Sequence, residues 1–159
     1  MKPVINLDEL EFQTQTKGPF SARYGVIGSR IGAKKLGYSL SIVPPGKKVC
    51  PFHNHHINEE MFFIIEGSGT LRFGDAEYPL RKHDVIACPP GKRDVAHQII
   101  NTGTSDLKYL SLSTKERAEI CEYPDSNKIL AMIGDRGEVD VRIMVKADSG
   151  VDYFEGETK

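Results

Sequence analysis

The sequence predicts an all-β fold, and three observations carry that prediction. Glycine and proline number 15 and 9 in 159 residues, and they fall between short apolar stretches. Apolar and polar residues alternate with period two in several places, as in Tyr38-Ser39-Leu40-Ser41-Ile42 and again from Val139 to Lys146. The run Met61 to Ile65 is apolar at every position, which reads as a strand covered on both faces by a second sheet or another subunit.

Taken in order, the elements follow from that rhythm. Tyr38, Leu40 and Ile42 are expected to face a core while Ser39 and Ser41 face water. After the apolar strand come strands at roughly 69–73, 76–81, 84–88, 95–101 and 107–112, with turn residues at Gly74-Asp75 and Asn101-Thr102-Gly103. A short helix is expected over Ser113 to Glu119, because Ser113 and Glu116 have capping-box spacing, and it must end before Pro124. Val139, Val141, Ile143 and Val145 then alternate with Asp140, Arg142, Met144 and Lys146, again one face on a core. The expectation is one domain over 1–159, with a β core at about 36–112 and extensions at either end.

Charge and cysteine content narrow the function. Lys and Arg total 21 against 22 Asp and Glu, a net charge of -1 with a pI near 6.5. That balance argues against a nucleic-acid partner and gives no reason to expect an anionic membrane surface. The apolar run is far too short to cross a bilayer, and MKPVINLDEL lacks the apolar segment of a secretory signal. Cys50, Cys88 and Cys121 are odd in number and lack CxxC spacing, so neither a disulfide framework nor a zinc knuckle is expected. A reducing cytoplasm is the simplest compartment, and the partner is a small molecule.

The chemistry concentrates in Pro51-Phe52-His53-Asn54-His55-His56-Ile57-Asn58-Glu59-Glu60. On an extended strand His53 and His55 project from one face, so their imidazoles can converge on one ion. Glu60 opens the apolar strand on the face of Phe62 and Ile64, where an unpaired charge is costly and a metal would satisfy it. His97 shares parity with Ile99 and Asn101 and faces inward with them. Three imidazoles and one carboxylate suit Fe(II), Mn(II), Ni(II) or Zn(II). The neighbours read otherwise. His56 is a solvated turn residue, Glu59 points away from Glu60, and Asn101 is a structural hydrogen-bonding group. Cys50 has the wrong parity to join His53, and Cys88 and Cys121 are buried small apolar residues. His83 takes a positive φ in a turn. Lys92 and Arg93 are either a solvated loop or a clamp for a phosphate or carboxylate, and Tyr38 is either packing or pocket wall.

These residues resemble the motifs of the cupin superfamily. Gly46, His53, His55, Glu60 and Gly67 match its first motif as HxH-x4-E-x6-G, and Pro89-Pro90-Gly91, His97 and Asn101 match its second. The resemblance covers about 36–112 and has the short inter-motif spacer of small single-domain cupins. It implies a double-stranded β-helix, or jelly roll, with a metal held by His53, His55, Glu60 and His97. The chain departs from the pattern at Gly46, separated from His53 by six residues, at His83 in place of a glycine, and in five residues between Gly91 and His97. That longer loop brings Lys92 and Arg93 toward the expected barrel mouth. Three activities fit the resemblance: a sugar-phosphate isomerase, with Lys92 or Arg93 taking the phosphate; an Fe(II) oxygenase; or a non-catalytic ligand-binding barrel. The second apolar face of Met61, Phe63 and Ile65 predicts a homodimer.

Overall fold

The computed structural model describes residues 2–135 and 138–158. Its strands are β1 (Gln13–Lys17), β2 (Phe20–Val26), β3 (Leu36–Val43), β4 (Asn54–His55), β5 (Glu60–Glu66), β6 (Ser68–Phe73) and β7 (Ala76–Arg81). They continue as β8 (Val85–Cys88), β9 (His97–Ile100), β10 (Leu107–Thr114), β11 (Ala118–Tyr123), β12 (Lys128–Asp135) and β13 (Glu138–Lys146). Apart from short 3-10 turns, the described residues form no helix.

One sheet runs β1-β2-β3-β10-β5-β8, and two smaller ones run β7-β6-β9 and β13-β12-β11-β4. Neighbours such as β10 and β5 or β6 and β9 are far apart in sequence, which is the crossover pattern of a jelly roll. Phe62, Ile64 and Tyr109 from the large sheet pack with Leu71, Leu80 and Ile99 from the small one in a single buried cluster. The fold is therefore the all-β jelly roll that the sequence predicts. At Gly67 the turn from β5 into β6 needs φ +86°, and an added Cβ would lie 2.5 Å from the carbonyl oxygen of Asp106. His83 does adopt a positive φ, 76°, in the turn before β8.

Several expectations are corrected. The alternation of β3 is present but inverted. Tyr38 and Leu40 pack outward, under Leu10 and Ile27 of the N-terminal segment. Ser39 and Ser41 face the interior, where they border a cavity with Glu60. The N-terminal residues cover the outer face, so the apolar side needs no barrel core. The helix over 113–119 does not form. β10 continues to Thr114 and β11 begins at Ala118, while the Asn58 Oδ1 accepts from both Thr114 Oγ1 and the Glu116 N–H at 2.9 Å. With Asn58 taking the donors of the turn, nothing is left for a capping box. The terminal segments are more than extensions, since β2 pairs with β3 and β11 pairs with β4.

The alternating residues of β13 are exposed on both faces, because among the described residues its one strand neighbour is β12, at the sheet edge. On β5, Phe62 and Ile64 are buried and Ile65 joins the cluster around Leu10, but Met61 and Phe63 stay exposed at 40 % and 37 %. The covering expected on both faces is thus only partly supplied by the chain itself.

Candidate metal centre

Two strand ends and one bridge build the centre. His55 belongs to β4, Glu60 opens β5 and His97 opens β9. His53 bridges to His97 by a reciprocal backbone pair, with N–H to O distances of 3.2 and 2.7 Å. The five residues between Gly91 and His97 are absorbed by a 3-10 turn, Arg93–Val95, so the longer loop still returns His97 to the interior.

All three imidazoles aim Nε2 at one oxygen. Glu60 Oε2 lies 3.0 Å from His97 Nε2, 3.4 Å from His55 Nε2 and 3.8 Å from His53 Nε2. The opposite ring nitrogens are occupied elsewhere. His53 Nδ1 donates to the Pro51 carbonyl at 2.9 Å, His97 Nδ1 lies 3.4 Å from the Val95 carbonyl, and His55 Nδ1 donates to Glu119 Oε2 at 3.2 Å. Fixing Nδ1–H in this way fixes the tautomer that leaves Nε2 a lone pair for an ion. His55 Nε2 is buried and lacks a hydrogen-bond partner, since its approach to Glu60 is poorly aligned. A divalent transition ion among these four donors would satisfy that orphan, and three nitrogens with one carboxylate oxygen fit such an ion.

Glu119 was invisible to a reading that ended a helix there. It is 3 % exposed. Its carboxylate accepts from the N–H groups of Asn58 (2.9 Å), Ile57 (3.3 Å) and Ile120 (2.8 Å), from the Asn58 side chain and from His55. Cys121 Sγ lies 3.3 Å from His55 Nδ1. His55, Glu119 and Cys121 thus form a second group with metal-ligating atoms. Because Glu119 is already filled with donors, this group serves to orient His55. The signal was Glu119-x-Cys121, which puts both side chains on one face once 118–123 is read as a strand.

Electrostatics polarise the four residues. Burial, aided by the His97 charge, pushes His53 down to about 4. Burial also opposes charge on His55, but its contacts with Cys121, Glu119 and Glu60 outweigh that and lift it to about 12. Burial would raise Glu60, yet the nearby His55 and His97 rings hold it well below the usual carboxylate range. Cys50, whose Sγ lies 3.8 Å from His53 Nδ1, is pushed up to about 12 by burial and by the Glu60 charge, so it offers no thiolate.

A pH dependence follows. In the metal-free protein at pH 7, His55 carries a proton that an incoming ion must displace, so apparent metal affinity should rise about tenfold per pH unit between pH 6 and 8. His53 binds a proton unfolded but not folded between its ordinary value near 6.5 and about 4. Its contribution is therefore complete above pH 6.5 and lost as pH falls toward 4, on the order of 3 kcal/mol. Melting temperature against pH, with and without chelator, should show the metal-loaded curve pulling away as pH rises from 5 to 8. A constant gap would contradict proton displacement from the histidines.

The remaining sequence candidates lie elsewhere. Lys92 is exposed, and Arg93 donates from Nε to Glu122 Oε2 at 2.5 Å beside the His56–Glu122 contact of 2.7 Å. Two of the three cavities that reach Glu60 are bordered by Lys115, and none of the three by Lys92 or Arg93. The loop bends outward to β11 instead of over the centre. Tyr38 packs mainly against the N-terminal segment and also edges the cavity between Glu60 and Lys115. Asn101 is fully buried and donates to the Val43 and Ser105 carbonyls, a structural role.

Comparison with known proteins agrees with this geometry. Residues 39–113 match the cupin domain family model. Over 90 residues, 57 % of this chain and 62 % of the relative, the sequence is 35 % identical to protein MJ1618 of Methanocaldococcus jannaschii. A solved structure from Acidithiobacillus ferrooxidans, provisionally named a sugar phosphate isomerase, superposes with a TM-score of 0.82 at 25 % identity, covering 94 % of this chain and 96 % of that one. A second, from Silicibacter pomeroyi and named a sugar phosphate isomerase from a cupin superfamily, superposes at 0.78 with 22 % identity, covering 93 % and 95 %. Matches to the curated relatives span 54 % to 65 % of those proteins' lengths. The domain match over residues 39–113 and the fold similarity over nearly the whole chain give this chain a cupin fold, with the motif residues around Glu60 at its centre.

Proposed function

We propose that the protein is a metal-dependent isomerase of a small sugar phosphate, with one divalent transition ion held by His53, His55, Glu60 and His97. The convergence of three Nε2 atoms on Glu60 Oε2, each ring locked through Nδ1, carries the metal assignment. The name borne by the Acidithiobacillus protein supports the reaction class. When bound, such an ion supplies a Lewis acid for a carbonyl or enediolate oxygen. The chain's own contribution is to hold the donors before the substrate arrives and to shield them from bulk water, since His53 and His97 are 9 % and 3 % exposed. The test is metal-reconstituted protein with a panel of aldose and ketose phosphates, followed by NMR. Metal-dependent aldose–ketose exchange is expected. Oxygen uptake with an Fe(II) load, or no turnover with any metal and sugar phosphate, would overturn the isomerase reading.

We also propose a homodimer in the cytoplasm. Met61, Phe63 and Val85 on one outer face and Ile133, Val141 and Ile143 on another are each at least 37 % exposed, apolar surface of the kind that a second copy covers. Light scattering at micromolar concentration should give twice the 17.7 kDa chain mass, and a monomer would contradict it.

A further inference from the structure

The inward face beside Glu60 is unusually rich in hydroxyls. Strand register places Gly37, Ser113 and Glu60 in one row across β3, β10 and β5, and Ser39, Ser111 and Phe62 in the next. Partners directly opposite share a face, so Ser39, Ser111 and Ser113 stand on the same interior wall as Glu60. Gly37 keeps this wall open, since an added Cβ there would lie 2.6 Å from Ser113 Oγ. Ser41, one row further in, stands opposite Tyr109. Among the described residues, the hydroxyls of Ser39, Ser111 and Ser113 have no protein partner and open into a cavity of about 350 Å³ that also reaches Glu60. That volume lies within the range of small-molecule sites, and half-buried hydroxyls without a protein partner are free to exchange water for the groups of a ligand.

Lys115 closes the row. It borders both the cavity on the serine side and the one on the Glu119 side, and among the described residues it is the one Lys or Arg that lines any of the three cavities touching Glu60, the third having none. Its ammonium has no carboxylate partner among those residues, although Glu60, Glu116 and Glu119 border the same space. Hydroxyl acceptors and donors in a row, ending in a single free cation, match a chain of alcohol groups that ends in an anion.

We propose that Ser39, Ser111, Ser113 and Lys115 form the recognition wall for a polyhydroxylated anion, the serines bonding its hydroxyls and Lys115 its phosphate. The assignment deepens the isomerase reading, and rests on the metal centre only for where the ligand's other end lies. It replaces Lys92 and Arg93 as the phosphate contact.

The test uses full-length, metal-loaded protein, titrated calorimetrically with pentose and hexose phosphates and, by competition, with inorganic phosphate. Metal content is measured for every variant. Lys115→Gln should weaken sugar phosphate and inorganic phosphate alike by at least about tenfold, the scale of one charge-assisted hydrogen bond. The double variant Ser39→Ala/Ser111→Ala should weaken the sugar phosphates several-fold and leave inorganic phosphate unchanged. Both should keep the wild-type metal content, because none of these residues is a proposed ligand. If wild type holds metal but binds no sugar phosphate, or binds it as well after Lys115→Gln, the wall assignment is overturned and the metal reading stands. If wild type holds no metal yet binds sugar phosphate in a Lys115-dependent way, the metal reading falls and the wall stands.

Discussion

Replacing His55 by alanine is expected to abolish stable metal loading and to lower the melting temperature of protein prepared with metal. The variant removes one of four donors and leaves the other imidazoles without the strand mate that faces them across Glu60. An ion present at about a thousand times its dissociation constant stabilises the native state by about 4 kcal/mol, and the variant should lose most of that. After chelation the variant should still melt below wild type, since Glu60 and Glu119 lose the His55 ring, but the metal-dependent gap in melting temperature seen in wild type should vanish in the variant. Glu119 would keep the Asn58, Ile57 and Ile120 donors, and Glu60 would keep His97. Elemental analysis and calorimetry on both forms check this. Full occupancy in His55→Ala would show that the ion, if any, sits elsewhere.

Replacing Glu119 by alanine should act through two routes. Its carboxylate pairs with three backbone N–H groups in a site that is nearly sealed from water. Orphaning a buried donor costs about 1–3 kcal/mol, so the chelated variant should be less stable by several kcal/mol. Losing the partner of His55 Nδ1 should also weaken metal binding about 10- to 100-fold, the usual effect of removing an orienting carboxylate. The two routes separate in a comparison of Glu119→Gln with Glu119→Ala. The amide keeps an acceptor for part of the donor set, so Glu119→Gln should recover stability more fully than metal affinity. Chelated-state melting together with competitive metal titration measures both. Equal recovery of the two properties would mean that Glu119 acts on the fold alone.

The jelly roll and the convergence of His53, His55 and His97 on Glu60 were legible because both are written locally. Period-two alternation marks a strand whatever lies beside it, and His-x-His followed by Glu60 places three donors within eight residues. His97 was legible through parity, although its approach depends on a turn at Arg93–Val95 that no pattern announced. What the sequence hid was which face of a strand looks inward. Ser39 and Ser41 read as a solvent face because polar side chains usually are, and only the N-terminal cover over Leu40 makes them interior. Glu119 was hidden for a related reason. Ser113 and Glu116 imitate a helix start, while the contact that decides the matter comes from Asn58, more than fifty residues earlier. Lys92 and Arg93 were misplaced because loop direction is set by the Arg93–Glu122 pair across to β11. Long-range partners, rather than propensity, separate what was read correctly from what was not.

The central claim is that one divalent ion sits on the Nε2 side of the three histidines. Anomalous diffraction from a crystal of zinc- or manganese-loaded protein, recorded at the metal edge, tests it most directly. The account predicts a single strong peak within about 2.0–2.2 Å of His53, His55 and His97 Nε2 and of a Glu60 oxygen, with Glu60 drawn off its present contact with His97. A peak on the other side of His55, between Nδ1, Glu119 and Cys121, or no peak near Glu60 in fully loaded protein, would contradict it.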